Sequence, residues 1–180
     1  MTDETPKTDN GAQPPAGAAA PKSGAVPIQI SAQYVKDLSF ENPNAPQSLM
    51  GGQTSPQVAV NVDVRTNQIS DTTYEVVLNI KGDAKAGDRQ AFIVELSYGG
   101  IVTLANVAKE HTAPLLLIEV PRLLFPFARS VIAEATRNGG FPPMLVQPID
   151  FADLFRRQLQ ALKAKQQGQA AAPPANAPVN

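Results

Sequence analysis

The chain has 180 residues, of which 43% are hydrophobic and 17% are charged, and its formal net charge is −1. This near-neutral balance, without a basic cluster, gives no electrostatic basis for binding nucleic acid. The absence of cysteine excludes disulfides, thiolate catalysis and cysteine-ligated zinc, and a single histidine, His111, excludes a multi-histidine metal site within one chain.

Both ends of the chain have low sequence complexity. Residues 1–25 are rich in Pro, Ala, Gly and Thr, and residues 168–180 read GQAAAPPANAPVN. Neither segment has enough apolar surface to offset the entropy of ordering, so we predict disordered tails there and one domain at residues 26–167. The N-terminus lacks the features of a secretory signal, and no apolar run approaches the roughly 20 residues that span a bilayer. The default expectation is a cytoplasmic protein without membrane insertion.

Four stretches in the first part of the domain alternate apolar and polar residues. Period-two alternation of β-branched and aromatic side chains predicts half-buried strands. The short polar connections TNQISDT and GDAKAGDR predict hairpins, and therefore an antiparallel sheet. The apolar sets of the four strands are, in chain order, Ile28, Ile30, Ala32 and Tyr34; Val58, Val60, Val62 and Val64; Tyr74, Val76, Leu78 and Ile80; and Phe92, Val94, Leu96 and Tyr98.

Two stretches after Gly100 have helical spacing of their apolar residues. In the first, Pro121 suits an N-terminal turn and Gly139–Gly140 suits a C-terminal stop. The second begins at Asp150, a residue type that caps helices. The apolar positions are Leu124, Phe127, Ala128, Val131 and Ala135 in the first helix, and Phe151, Leu154, Phe155, Leu159 and Leu162 in the second. Strands followed by helices predict an α+β domain, a four-stranded antiparallel sheet with two helices packed on one face.

The other face of the predicted sheet mixes apolar and charged residues. It has Glu75, Val77, Asn79 and Lys81 in the third strand, and Ala91, Ile93, Glu95 and Ser97 in the fourth. This mixture is compatible with a partner surface and equally with scattered surface residues. A second apolar group, Phe141, Met144, Leu145 and Val146, lies between the helices, where full burial is difficult. Such residues cover a core, line a groove or seal an oligomer interface.

No motif in the sequence supports an enzyme. There is no Walker-type loop for nucleotide and no G-x-S-x-G nucleophile elbow. His111 could serve as a general base, and Asp37 with Glu41 could form an acid/base pair. An ordinary loop or helix-start histidine and solvated carboxylates are the better interpretations, and we expect no enzymatic activity and no cofactor.

Five segments of the chain resemble one known family, the SecB protein-export chaperones. They occur in the family's order and span nearly the whole predicted domain, with both tails outside. The segments are DLSFENPNAP (37–46), YEVVL (74–78), AFIVELSYGGI (91–101), LFPFAR (124–129) and GFPPMLVQPIDFADLF (140–155).

The resemblance implies a cytoplasmic homotetramer, built as a dimer of dimers, without nucleotide or enzymatic activity. Such chaperones hold unfolded preproteins in a translocation-competent state and deliver them to the SecA motor. The long first helix of the family would correspond to residues 122–137. A chaperone with the same fold but dedicated to a toxin–antitoxin pair or another specific client is the alternative.

The resemblance also implies candidate binding residues. The family's SecA-binding positions correspond to Asp37 and Glu41 in the first segment, and to Ile93 and Glu95 in the third. A client groove lined by aromatic and aliphatic groups corresponds to four further candidates, Leu38, Phe40, Phe141 and Leu145.

Overall fold

The computed structural model describes residues 28–50 and 55–170. One antiparallel sheet consists of four strands, β1 (Ile28–Glu41), β2 (Gln57–Gln68), β3 (Thr73–Ala86) and β4 (Arg89–Leu104). A 3₁₀ turn, Gln47–Leu49, lies between β1 and β2. The helical part comprises α1 (Lys109–Pro114), a π-helical turn (Leu115–Glu119), α2 (Val120–Asn138) and α3 (Phe151–Ala170). The predicted α+β fold is confirmed.

Most of each predicted tail lies outside the described residues. The N-terminal tail, residues 1–25, lies outside them. Helix α3 ends at Ala170, past the predicted domain end at residue 167, and residues 171–180 of the predicted C-terminal tail also lie outside them. No helix in the described part of the chain is long and apolar enough to cross a membrane.

The spatial order of the strands is β1-β4-β3-β2. The predicted hairpins join β2 to β3 and β3 to β4, with tight turns at residues 69–72 and 87–88. Strand β1 pairs with β4 and not with its sequence neighbour β2. As a result β4 is central, and β1 and β2 are the two edge strands.

One face of the sheet packs against the helices and forms the core. On this face Val76 and Leu78 of β3 are fully buried, and Val94 of β4 is fully buried beside them. Leu124 of α2 packs directly against Gly100 of β4, which fixes the even-numbered positions of β4 as the helix side. We call the opposite side the outer face.

The alternation predicted for β1 is wrong beyond Ile30. Irregularities in the pairing with β4 occur between Ile30 and Ala32 and between Val35 and Asp37. Each irregularity inserts a residue into β1 and exchanges the faces of the residues that follow. Ile30 therefore packs on the core, whereas Tyr34 lies on the outer face.

The four valines of β2 share a face as predicted, but they are not equally buried. Val64 is 5% exposed, whereas Val58 and Val60 are 39% and 45% exposed. Because β2 is an edge strand and α2 packs chiefly on β4 and β3, the start of β2 extends beyond the helix.

The first long helix begins earlier than predicted. Helical structure starts at Lys109 and continues through the π-helical turn into α2, so Pro121 lies inside it. In the π-helical turn, Val120 N–H bonds to the carbonyl of Leu115, five residues back. A widened turn of this kind relieves the crowding that a proline ring causes against the preceding turn. The prediction of residues 122–137 matches the C-terminal part of this helical segment.

The buried stripe of α2 differs from the predicted one. Phe127 is 51% exposed, and Phe125 and Ile132 are buried instead. On the helix, Phe125 and Ile132 lie on the opposite side of Leu124 and Ala128 from Phe127, so the buried stripe is displaced toward them.

Helix α3 begins as predicted, but the rest of the chain covers only the first part of its apolar stripe. Asp150 caps it, since its Oδ1 accepts a hydrogen bond from the N–H of Asp153 at 3.0 Å. Phe151 is buried and packs edge-on against Phe125, whereas Leu159 and Leu162 are exposed. The apolar stripe therefore continues past the region that this chain covers.

Two expectations about burial are also corrected. Phe141, Met144 and Val146 of the interhelix linker are buried, and only Leu145 of that group is exposed. Ala91, predicted on the outer face, is buried in the core because the ladder is irregular next to it, between Ala84 and Lys85.

Candidate functional site

The structure places the four candidate SecA-binding residues on one surface. Glu41 of β1 lies directly opposite Ile93 of β4, and opposed residues of antiparallel strands project on the same side. Asp37 is four positions before Glu41, and Glu95 two positions after Ile93, so both share this side. It is the outer face, away from the helices. We call Asp37, Glu41, Ile93 and Glu95 the carboxylate surface.

The two irregularities of β1 create this arrangement. After the second one, Leu38 and Phe40 face the helix side, opposite Leu96 and Val94, while Asp37 and Glu41 face outward. The segment DLSFE therefore presents its two carboxylates on the outer face and its two large apolar side chains on the helix side.

A polar contact on the outer face holds the middle of β1. Tyr34 Oη donates to Glu75 Oε1 at 2.5 Å, and Lys36 Nζ donates to the same oxygen at 2.7 Å. The Lys36 ammonium and then the Tyr34 hydroxyl lower the pKa of Glu75, and the hydrogen bond to Glu75 raises the pKa of Tyr34 to about 12. The Tyr34 ring lies over Gly99, where no side chain obstructs it. These contacts fix β1 between its two irregularities.

An open apolar groove lies on the helix side of the sheet, at the edge formed by β2. One wall consists of Val58, Val60 and Val62, and the other is the interhelix linker, residues 141–149. Its volume is about 750 Å³. Leu145, on the linker wall, is 60% exposed. The groove therefore presents apolar side chains on both sides to solvent.

An aromatic cluster closes the inner end of the groove. Phe92 and Phe141 line it, with ring centroids 4.8 Å apart, and Phe40 stacks behind Phe92 at 5.6 Å. Phe40 also reaches Gly139, where a β-carbon would lie 2.1 Å from its ring, so only glycine permits this approach. The end of α2, the linker and β1 are thus packed around one cluster.

The four candidate client residues do not form a single site. Phe141 and Leu145 line the groove, and Phe40 supports it from behind without lining it. Leu38 lies on β1 opposite Leu96 and is 43% exposed, outside the residues that line the groove.

The comparison with known families gives a direct match. Residues 21–162 match the family described as preprotein translocase subunit SecB. The chain belongs to the SecB family. The resemblance of the five sequence segments is thereby confirmed, and the family is one of protein-export chaperones.

Relatives of known name agree with this assignment. The protein-export protein SecB of Rhodospirillum centenum is 55% identical over 160 residues, which cover 88% of this chain and 93% of the relative. The protein-export protein SecB of Agrobacterium fabrum is 49% identical over 162 residues, covering 90% and 96%. The expected function as a protein-export chaperone is confirmed at this level.

A solved structure shares the fold. The SecB-like chaperone of Mycobacterium tuberculosis, solved in complex with a ChAD peptide from the HigA1 antitoxin, aligns with a TM-score of 0.58. The alignment covers 69% of this chain and 93% of that one, at 11% identity. This likeness supports the SecB fold and no more.

Two features of the candidate surfaces could not be predicted from the sequence. The β2 valines were expected to be half-buried against the core, because alternation cannot reveal that a strand lies at the edge of the sheet. Lys81 was assigned to the outer face without a partner. In the structure it is directly opposite Glu95, and its ammonium contacts Glu95 Oε1. Only the strand register could identify that pair.

Proposed function

We propose that this SecB protein is an ATP-independent holdase, which binds unfolded preproteins, keeps them translocation-competent and delivers them to SecA. The observation that carries the proposal is the open apolar groove along the edge strand β2. The proposal involves no nucleotide, metal or other cofactor, no nucleic acid and no membrane insertion, and it places the protein in the cytoplasm.

The groove suits an extended and apolar chain. Unfolded segments expose aliphatic and aromatic side chains, and each one buried against Val58, Val60 or Leu145 contributes about 1–2 kcal/mol. Such contacts need little directional hydrogen bonding, so many sequences can bind. As an edge strand, β2 also has a backbone row without a strand partner in the described part of the chain.

Holding a client in this way requires no energy source. A protein that binds only the unfolded state lowers the free concentration of that state and delays folding by mass action. The delay depends on the groove's affinity, so variants of its walls should change it.

The experiment is a refolding assay with a reduced, unfolded preprotein in the absence of ATP. The wild type should delay refolding, and a Leu145→Ser and Val60→Ser double variant should weaken client binding on the order of tenfold or more. The matched control is Ile69→Ser, an equally exposed apolar residue in the β2–β3 turn. No delay by the wild type, or equal weakening by the control, would contradict the proposal.

The carboxylate surface is the proposed docking site for SecA. Asp37 and Glu41 are exposed, and the Glu95 side chain is 47% exposed, so all three carboxylates can meet a basic partner. Attraction between exposed charges is screened by salt, so docking should weaken as ionic strength rises. Changing Asp37, Glu41 and Glu95 to Lys should weaken SecA binding and leave client holding intact. Equal SecA affinity of this triple variant and the wild type would contradict the assignment.

Self-association is the third component of the proposal. The helical layer has exposed apolar pairs at neighbouring positions, Leu123 with Phe127 on α2 and Leu159 with Leu162 on α3. Covering them with further copies would extend the core of each chain. This supports the homotetramer, a dimer of dimers, that the family resemblance implies.

Export is favoured over a dedicated toxin–antitoxin function. The relatives that share about half of their residues with this chain are named for protein export. The structure that contains an antitoxin peptide shares 11% identity, which supports the fold alone. A pull-down of clients would distinguish the two, since many unrelated preproteins are expected and one antitoxin would contradict export.

A further inference from the structure

We propose that Lys81 is a built-in competitor for the basic partner at the carboxylate surface, and that it sets the affinity of docking. The inference rests on the proposed docking of SecA there. Lys81 is not one of the candidate SecA-binding residues, but here it determines how tightly SecA binds.

The first support is the position of Lys81 in the sheet. It lies directly opposite Glu95 on the outer face, and its Nζ forms an ion pair with Glu95 Oε1. The two side chains are 51% and 47% exposed, so the pair is accessible from solvent. A lysine or arginine of a partner that approached Glu95 would find this oxygen already engaged.

The second support is the set of charges around Lys81. Asp83 of β3 lies directly opposite Ile93, whose other neighbour across the sheet is Glu41. The Asp83 carboxylate accepts a hydrogen bond from Gln90 Nε2 at 2.9 Å. Contact with Glu95, followed by the more distant Asp83 and Glu41, raises the pKa of Lys81. Three carboxylates therefore attract one ammonium, and the surface stays acidic while Lys81 is present.

The weakness of the pair gives it a role in docking. Exposed ion pairs contribute little free energy, because water screens them and two long side chains must be held in place. The flexible stem of Lys81 lets its ammonium move away when a better-placed cation arrives. A partner must nevertheless displace a like charge, which reduces affinity. A reduced affinity makes it easier for the docking site to release its partner after the client has been transferred.

The test compares SecA binding by Lys81→Gln and by the wild type, at low and at high salt. Glutamine keeps the length and polarity of the side chain and removes its charge. We expect binding tighter on the order of threefold at low salt, with a smaller difference at high salt. The control is Lys109→Gln, which makes the same change in net charge at the start of α1, in the helical layer. It should leave the affinity nearly unchanged.

Two outcomes overturn the inference separately from the proposed function. If the Asp37, Glu41 and Glu95 charge reversal weakens SecA binding while Lys81→Gln leaves the affinity equal or lower, docking stands and the competitor role fails. An equal gain in both lysine variants would show an effect of net charge and would also overturn it. If the charge reversal itself has no effect, the docking assignment fails first.

Discussion

The backbone N–H of Met144 donates a hydrogen bond to Thr136 Oγ1 across 2.9 Å. Thr136 is fully buried on α2, and Met144 belongs to the linker that forms one wall of the groove. The Thr136 hydroxyl lies 3.0 Å from the carbonyl oxygens of Ile132 and Ala133, to which it can donate. The backbone N–H of Phe141 also bonds to the Thr136 carbonyl. One residue therefore ties the groove wall to the helix.

Replacing Thr136 with valine should loosen this wall. Valine keeps the shape but leaves the Met144 N–H buried without an acceptor, at a cost of about 1–3 kcal/mol. We expect the free energy of unfolding to fall by this amount and client affinity to fall with it. Urea unfolding and the refolding assay measure the two effects. Thr136→Ser, which retains the hydroxyl, should keep most of both, and a valine variant with unchanged stability would contradict the anchoring role.

The Tyr34–Glu75 contact should give stability a defined dependence on alkaline pH. The pKa of Tyr34 is raised from 10.0 to about 12 in the folded state, so its contribution is complete below pH 10 and is lost as the pH rises toward 12. Tyr34→Phe should cost about 1 kcal/mol at neutral pH, since the hydrogen bond to a carboxylate is partly open to solvent. The difference between the variant and the wild type should shrink above pH 10. Urea unfolding across this range is the measurement, and a constant difference would contradict the assignment.

Adding a methyl group at Gly99 should disturb the same part of the outer face. A β-carbon there would lie 2.7 Å from Cζ of the Tyr34 ring, closer than van der Waals contact allows. We expect Gly99→Ala to lower the free energy of unfolding by about 1–3 kcal/mol. The cost should be much smaller in a Tyr34→Ala background, where the ring is absent. Equal costs in both backgrounds would show that the ring is not the cause.

A charge at Phe127 should interfere with self-association. Phe127 is 51% exposed on α2, so Phe127→Asp should leave the fold of the single chain intact while opposing contact with another copy. Light scattering should give four copies of the 19.0 kDa chain for the wild type and a smaller assembly for the variant. Ile69→Asp, similarly exposed in the β2–β3 turn, serves as the control. A tetrameric Phe127→Asp variant would place the interface elsewhere.

Several parts of the fold could be predicted from local sequence. Strand β3 is one of them, because the alternation from Tyr74 to Ile80 indicates a strand and the polar stretches on both sides of it indicate turns. Neither indication depends on distant residues. The N-cap at Asp150 is equally local, because its carboxylate bonds within three residues. On the outer face, period two in β4 was enough to place Ile93 and Glu95 together.

Other features depended on contacts between distant segments. The irregularities of β1 arise in its pairing with β4, and no alternation within β1 reveals that Tyr34 changes face. The exposed side of the groove depends on the edge position of β2, so Val60 and the buried Val64 look alike in sequence. The helix start at Lys109 could not be predicted because Pro114 and Pro121 usually mark helix boundaries, whereas here both lie within helical structure, on either side of the π-helical turn.

The sequence by itself determined the antiparallel sheet followed by helices and the family, and the resemblance to that family implies the candidate residues for binding SecA and a client. The sheet and the helices follow from periodicity and residue type within short segments, which do not depend on how those segments finally pack, and the family follows from five matching segments. Only the tertiary structure decided that Phe141 and Leu145 line a groove with the β2 valines, that Leu38 lies apart from it, and that Lys81 pairs with Glu95. Strand order and register bring distant residues together, and neither is encoded in the spacing of any one segment.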